Sequence, residues 1–277
     1  MKKNKPQKPK KTPFDRYAHY IEAVQSVEHD VELYRDLFKQ ARRKEPRFLR
    51  EDFCGTHALS CEWVKLHRDN RAIALDLDPE PLEYGRTHAE TTLNTSQHSR
   101  LQVFQRNVLS QTEATDLIVA GNFSYFIFKQ RAQLLAYFKK ARESLKPGLG
   151  MLILDVAGGS SMIEHGVERR TIRSKELGKY TYIWECVSFD PVTHDAKFAI
   201  HFELPQGKTG KRRVRNAFTY DWRLWSIPEL KEILMEAGFK STAVFWDTAK
   251  SNSDEKYEIV EKGANHEAWI AYVTGLA

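Results

Sequence analysis

Two acids, a single glycine and a histidine are strung together in Glu51-Asp52-Phe53-Cys54-Gly55-Thr56-His57. A further acid, Asp76, interrupts the apolar run Ile73-Ala74-Leu75-Asp76-Leu77-Asp78 roughly 20 residues past the glycine. Acid, then glycine, then helix start is an arrangement suited to a nucleotide. Glycine lets the backbone pass close to a ligand, and a helix N-terminus offers unpaired N–H groups. An acid placed as Asp76 is can accept both hydroxyls of an adenosine ribose. Farther along, Asn122, Tyr125 and Phe126 follow the apolar segment 116–120, and Arg223 stands among aromatics in Phe218-Thr219-Tyr220-Asp221-Trp222-Arg223-Leu224-Trp225. A guanidinium there can clamp a carboxylate or phosphate through two parallel bonds. The ten histidines are scattered without metal spacing, and Cys54, Cys61 and Cys186 form an odd set with no C-x-x-C. Neither a metal centre nor a disulfide framework is expected.

These groups need a frame that gathers them. Residues 14–43 carry apolar and aromatic side chains at three- and four-residue steps, including Tyr17, Tyr20, Val24, Val31 and Tyr34, which predicts an N-terminal helical region closed by Pro46. Short apolar strands then alternate with helical periods: strands over 47–53, 71–77, 101–106, 116–120 and 151–156, with helices over 58–66, 79–92 and 129–145. That alternation predicts an α/β, doubly wound parallel sheet, whose ligands bind at the carboxyl ends of the strands. The pattern breaks after Val156. Residues 180–222 read as three antiparallel strands, an inserted cap occupying about 157–225. Ser226-Ile227-Pro228-Glu229 then reads as a helix start with its cap. Strands over 241–246 and 267–274 finish the chain.

Composition narrows the partners. The chain of 277 residues is 41% hydrophobic and carries 43 Lys+Arg against 37 Asp+Glu, a formal charge of +6. Six of those lysines lie in residues 1–13, read as a solvated tail, so the rest of the chain is formally neutral. A neutral body makes nucleic acid an unlikely partner. No apolar run approaches the roughly 18 residues that span a bilayer, and the cysteine usage suits a reducing cytoplasm.

In the order and spacing of these segments the sequence resembles the class I S-adenosylmethionine-dependent methyltransferases, from about Phe48 to Tyr272. Residues 48–60 resemble the family's glycine loop, although Phe53 and His57 stand where it has its first and third glycines. Gln105-Arg106-Asn107-Val108 resembles its adenine-binding segment, and Lys146-Pro147-Gly148 the turn before its fifth strand. The resemblance implies a mostly parallel seven-stranded, Rossmann-like sheet over residues 46–277 and an N-terminal helical lid over 14–45. It further implies S-adenosyl-L-methionine as cofactor, held by Glu51, Phe53, Gly55, Asp76, Leu77, Asn107, Val108, Asn122 and Tyr17. Which of Glu51 and Asp52 faces the methionine amine stays open.

Methyl transfer asks mainly for alignment and desolvation, so no obligatory catalytic triad is expected. Tyr125, Arg223 and Tyr20 are the groups expected at the acceptor, a small molecule bearing an anionic group under the cap. For Tyr125 the alternative is plain aromatic core. Two other functions compete: a nucleic-acid or protein methyltransferase using the lysine tail, and a non-catalytic module that only binds the cofactor.

Overall fold

A computed structural model describes residues 14–206, 210–249 and 256–277; the lysine-rich residues 1–13 lie outside the described residues. The Asp15 side chain accepts hydrogen bonds from the N–H groups of Tyr17 and Ala18 and so starts α1 (Arg16–Val24). Helix α2 (Val27–Arg42) buries Val31, Tyr34, Leu37 and Phe38 along one face and stops at Arg43, which is in the left-handed conformation. Five units follow in order: β1 (Phe48–Asp52), α3 (Ala58–Leu66), β2 (Arg71–Asp76), α4 (Pro79–Thr92) and α5 (Thr95–His98). Then come β3 (Leu101–Gln105), β4 (Leu117–Ala120), α6 (Arg131–Glu143) and β5 (Met151–Gly158). Four long strands, β6 (Gly166–Ser174), β7 (Gly178–Phe189), β8 (Asp195–Gln206) and β9 (Gly210–Arg223), precede α7 (Ile227–Glu236). The chain closes with β10 (Ser241–Asp247), β11 (Tyr257–Ile259) and β12 (Trp269–Leu276).

The fold is α/β and doubly wound. Its main sheet has the order β11-β10-β12-β5-β4-β1-β2-β3, with β1 to β5 parallel and β10, β11 and β12 antiparallel. It has eight strands where the sequence suggested seven. The extra one, β11, has only three residues, too few to show an apolar period. The strands are buried on both sides. Leu49, Leu117 and Ile153 pack toward α2 and α3, whereas Ile73, Ile118 and Leu152 pack toward α6 and α7. This two-sided cover explains why they read as continuous apolar runs.

The cap is a separate antiparallel sheet in the order β6-β7-β8-β9. Its first strand escaped the sequence because Gly-Val-Glu-Arg-Arg-Thr-Ile-Arg-Ser is an edge strand with hardly any buried face. Helix α1 straps the cap to the main sheet. Phe14 packs on Phe202, and the Tyr180 hydroxyl donates to the His19 carbonyl. On the other side Arg16 pairs with Glu80 at 2.6 Å, and Tyr84 donates to Asp15 at the start of α1.

Helix α4 touches the loop after β1 through Gly85, where a Cβ would overlap the Thr56 carbonyl oxygen and the His57 ring. Gly85→Ala must therefore push that loop aside. We expect a loss of about 1–3 kcal/mol in urea unfolding, the usual cost of overpacking. An unchanged midpoint would show that the contact has slack.

Candidate active site

The strand order reverses between β1 and β4, since β2 and β3 follow on one side and β5 on the other. A crevice opens at the carboxyl end of such a switch point. The loops after β1, β2 and β3 form one half of it, and those after β4, β5 and β10 and before β12 the other.

On the first half, Glu51 and Asp52 point to opposite faces of β1, and this separates their roles. Asp52 is consumed internally: Arg50 Nε donates to it at 2.7 Å and the Tyr137 hydroxyl at 2.9 Å. The Arg50 guanidinium is wholly buried and also donates to the carbonyls of Val108 and Ser110, tying β1 to the loop after β3. Glu51 accepts the Ser60 N–H at 2.9 Å and its hydroxyl at 2.5 Å, both on Oε2, and its Oε1 accepts no hydrogen bond among the described residues. Burial pushes the Glu51 carboxyl up to about 8.

A folded-state pKa raised this far has a definite sign. Between the unfolded carboxyl value, about 4.3, and about 8 the folded chain holds the extra proton, so stability is full at low pH and is lost as pH rises through that window. The Asp155 carboxyl, pushed up by burial to about 7, acts in the same direction. Glu51→Gln should flatten the decline in urea stability between pH 5 and 8.5, leaving the variant more stable than the wild type at the upper end. A variant whose decline matches the wild type would show that Glu51 titrates normally.

Gly55 has φ of +51°, and a Cβ placed on it would meet nothing within 4 Å, so the backbone there borders open space. Its N–H donates to Asp76 Oδ2 at 2.7 Å, while Asp76 Oδ1 accepts the N–H of Asp78 at 2.9 Å. Asp76 thus links the ends of β1 and β2 and keeps a second lone-pair direction on each oxygen. The next residue, Leu77, is 60% exposed, an apolar plate at the strand end. Across from it, the Asn107 side chain accepts from Leu109 N–H and leaves its amide NH2 to donate; Val108 is buried beside it. Phe53 differs from expectation. Its ring packs against Phe128 and Tyr137, so it offers the crevice only a backbone held at positive φ.

The second half is a cavity of about 690 Å³ between the main sheet, α1 and α2, and the inner face of the cap. Asn122 and Asp155 form its floor, Tyr20 and Tyr34 come from the N-terminal helices, and Tyr182, Trp184, Tyr220 and Trp222 from the cap. Asp155, in the carboxyl half of β5, is buried and accepts N–H bonds from Asn122 at 2.6 Å and Phe123 at 2.9 Å. Both donors have positive φ, so this carboxylate clamps a tight turn. The Tyr20 and Tyr220 hydroxyls hydrogen-bond to each other, and burial pushes both phenols up. The acids Asp30, Asp155, Glu168 and Asp247 line the cavity against Arg170 and His266, an excess of negative charge.

Two expected acceptor contacts are absent from this wall. Tyr220 and Trp222 face the cavity, so strand alternation turns Arg223 away. Its guanidinium donates to the Lys129 carbonyl at 3.1 Å, pairs with Glu229 at 3.2 Å and lies on the Trp225 ring. It joins β9, the segment leading into α6, and α7 in a structural role. Tyr125 is fully buried and donates to the Asp155 carbonyl at 2.8 Å, which supports the floor from below. Tyr17, packed on Tyr84 and Phe218, roofs the boundary between cap and α4. Asp155 was missed, although an acid interrupting an apolar run is the same signal that singled out Asp76. The aromatics of β7 and the Arg50 clamp had no comparable signal, because only tertiary packing shows which way they face.

No protein-family model matches the chain, and no curated protein sequence matches it. Solved structures do. The amino pentose methyltransferase CalS10 of Micromonospora echinaspora, solved with SAM bound, superposes with a TM-score of 0.69 at 14% identity, covering 97% of this chain and 99% of that one. The sugar N-methyltransferase KedS8 of Streptoalloteichus sp. gives 0.64 at 15%, covering 100% and 98%. An S-adenosylmethionine-dependent methyltransferase of Clostridium acetobutylicum gives 0.63 at 17%, covering 94% and 98%. The chain has the Rossmann-like fold of these methyltransferases.

Proposed function

We propose that the protein is an S-adenosylmethionine-dependent methyltransferase whose acceptor is a small molecule bearing an amine. The observation that carries this reading is the acid-rich, aromatic cavity beside Asp155, at the switch point where the β1 and β2 loops can hold a nucleoside. The residues of the first half fit the cofactor. Asp76 accepts the ribose hydroxyls, Leu77 and Val108 cover the faces of the adenine, the Asn107 amide donates to its edge, and Glu51 Oε1 and the backbone at Gly55 receive the amino-acid end. Asn122 borders both halves. The cofactor supplies a methyl group on a positively charged sulfur, which is a good leaving group.

An anionic acceptor was expected because of Arg223, and that residue faces away from the cavity. Four acids against one arginine instead favour an acceptor that enters as an ammonium ion. It must lose a proton before its nitrogen lone pair can attack the methyl carbon. Asp155, with its carboxyl near neutrality, is placed to receive that proton, and Tyr20 and Tyr220 orient the nitrogen. Tyr182, Trp184 and Trp222 keep water out. The test is transfer of a labelled methyl group to a panel of small amines, amino sugars included, set beside matched alcohols and carboxylic acids. Turnover confined to amines is expected; turnover of the acids alone would reverse the assignment.

A further inference from the structure

The cap has a second face, and its chemistry is unlike that of the first. Because Glu168, Arg170, Tyr182, Trp184 and Ile200 line the cavity, the residues alternating with them point outward. At the end of the cap away from α7, that outer face carries Arg173 on β6, Lys179 directly opposite it on β7, and Lys211, Arg213 and Arg215 on β9. Arg169 stands on the same face of β6, two pleat repeats before Arg173. Glu203 is the acid among them; it pairs with Arg169 at 2.6 Å and is reached by Lys211 at 3.6 Å. Arg173, Lys179, Arg213 and Arg215 are all exposed and have no ion pair among the described residues. Some exposed cations elsewhere are matched by neighbours, as in Arg86 with Glu83, Lys140 with Glu143 and Arg71 with Glu113, and others, such as Lys44, Lys240 and Lys262, stand singly. On this face four unpaired cations instead stand together.

The geometry points to this outer face as a docking surface for the phosphate backbone of a nucleic-acid duplex. Arginines predominate, and a guanidinium meets phosphate oxygens through two parallel bonds. The cations spread over three strands as a two-dimensional array, with neighbouring strands about 4.8 Å apart. Among the described residues no exposed aromatic side chain alternates into this end of the face, so stacking on unpaired bases, which single-strand binders rely on, has no platform there. Contacts of this kind hold the backbone without reading sequence. The proposal is separate from methyl transfer, because the face points away from the cavity.

Fluorescence anisotropy of the full chain with a labelled 20-base-pair RNA duplex, over a series of salt concentrations, tests it. Binding should weaken steeply with salt, and the variant R173E/K179E/R213E/R215E should bind at least about 30-fold more weakly with a salt slope reduced by about 3. Its thermal midpoint and its affinity for S-adenosylhomocysteine should match the wild type, since none of the four residues touches the crevice. A chain lacking residues 1–13 should keep a salt-dependent share of the binding. The proposal fails if the duplex does not bind at 50 mM salt or if the fourfold variant binds as the wild type does. It fails equally if all binding disappears with residues 1–13, if an unpaired strand of equal length binds more tightly than the duplex, or if a polyglutamate chain of equal charge binds as tightly, which would mark an acidic protein as the partner.

Discussion

Replacement of Asp76 by alanine is expected to weaken S-adenosylhomocysteine binding by at least about 100-fold, because two charge-assisted hydrogen bonds at roughly 1.5–3 kcal/mol each are lost together. A second effect adds to this. Asp76 Oδ2 holds the Gly55 N–H at 2.7 Å, so its removal also frees the β1 loop that must lie against the ligand. Asp76→Asn separates the two effects, since one amide oxygen can still accept from Gly55 but the charge is gone. An affinity for Asp76→Asn midway between the alanine variant and the wild type, measured by titration calorimetry, would apportion them. A folded Asp76→Ala protein with unchanged affinity would remove the ribose from this strand end.

The second large effect is expected at Asp155. Alanine there leaves the N–H groups of Asn122 and Phe123 without an acceptor in a turn where both residues have positive φ. Each buried donor left unpaired costs about 1–3 kcal/mol, partly offset because a desolvated carboxyl is removed as well. A net loss of about 2–4 kcal/mol in urea unfolding is expected. Asp155→Asn keeps the shape and one accepting oxygen and should regain much of that stability. It cannot take a proton, so methyl transfer to an amine should stay at least about 100-fold below the wild type, the usual contribution of a positioned acid–base group. Its affinity for S-adenosylhomocysteine should remain within about threefold. Wild-type turnover by Asp155→Asn would reduce the residue to a clamp for the turn.

How much of this was legible beforehand varied with the kind of signal. Strands β1, β2, β4 and β5 are buried on both faces and showed themselves as apolar runs, and Ser226 with Glu229 marked the start of α7 by local bonds that form within one turn. Asp76 was found because an acid closing such a run is conspicuous. Arg223 misled for a different reason: a guanidinium among aromatics looks the same whether it faces a ligand or, as here, Trp225 and Glu229. The parity of β9 decides between these: Tyr220 and Trp222 share one side and Arg223 takes the other, and only the tertiary fold shows which side faces the cavity. Net charge carries no information on distribution: outside residues 1–13 lysine and arginine balance the acids, and only strand alternation in the cap shows which of those side chains share a face.

The central claim is that the crevice at the β1–β4 boundary takes the methyl donor. Titration calorimetry of S-adenosylmethionine and S-adenosylhomocysteine into the full chain tests it most directly. One site per chain is expected for each ligand, with a dissociation constant in the micromolar range or below. Repeating the titration at pH 7 in buffers of different ionisation enthalpy should reveal proton release, because a cationic amine brought to Glu51 lowers a carboxyl that burial holds at about 8. A folded protein that binds neither ligand at millimolar concentration would contradict the claim.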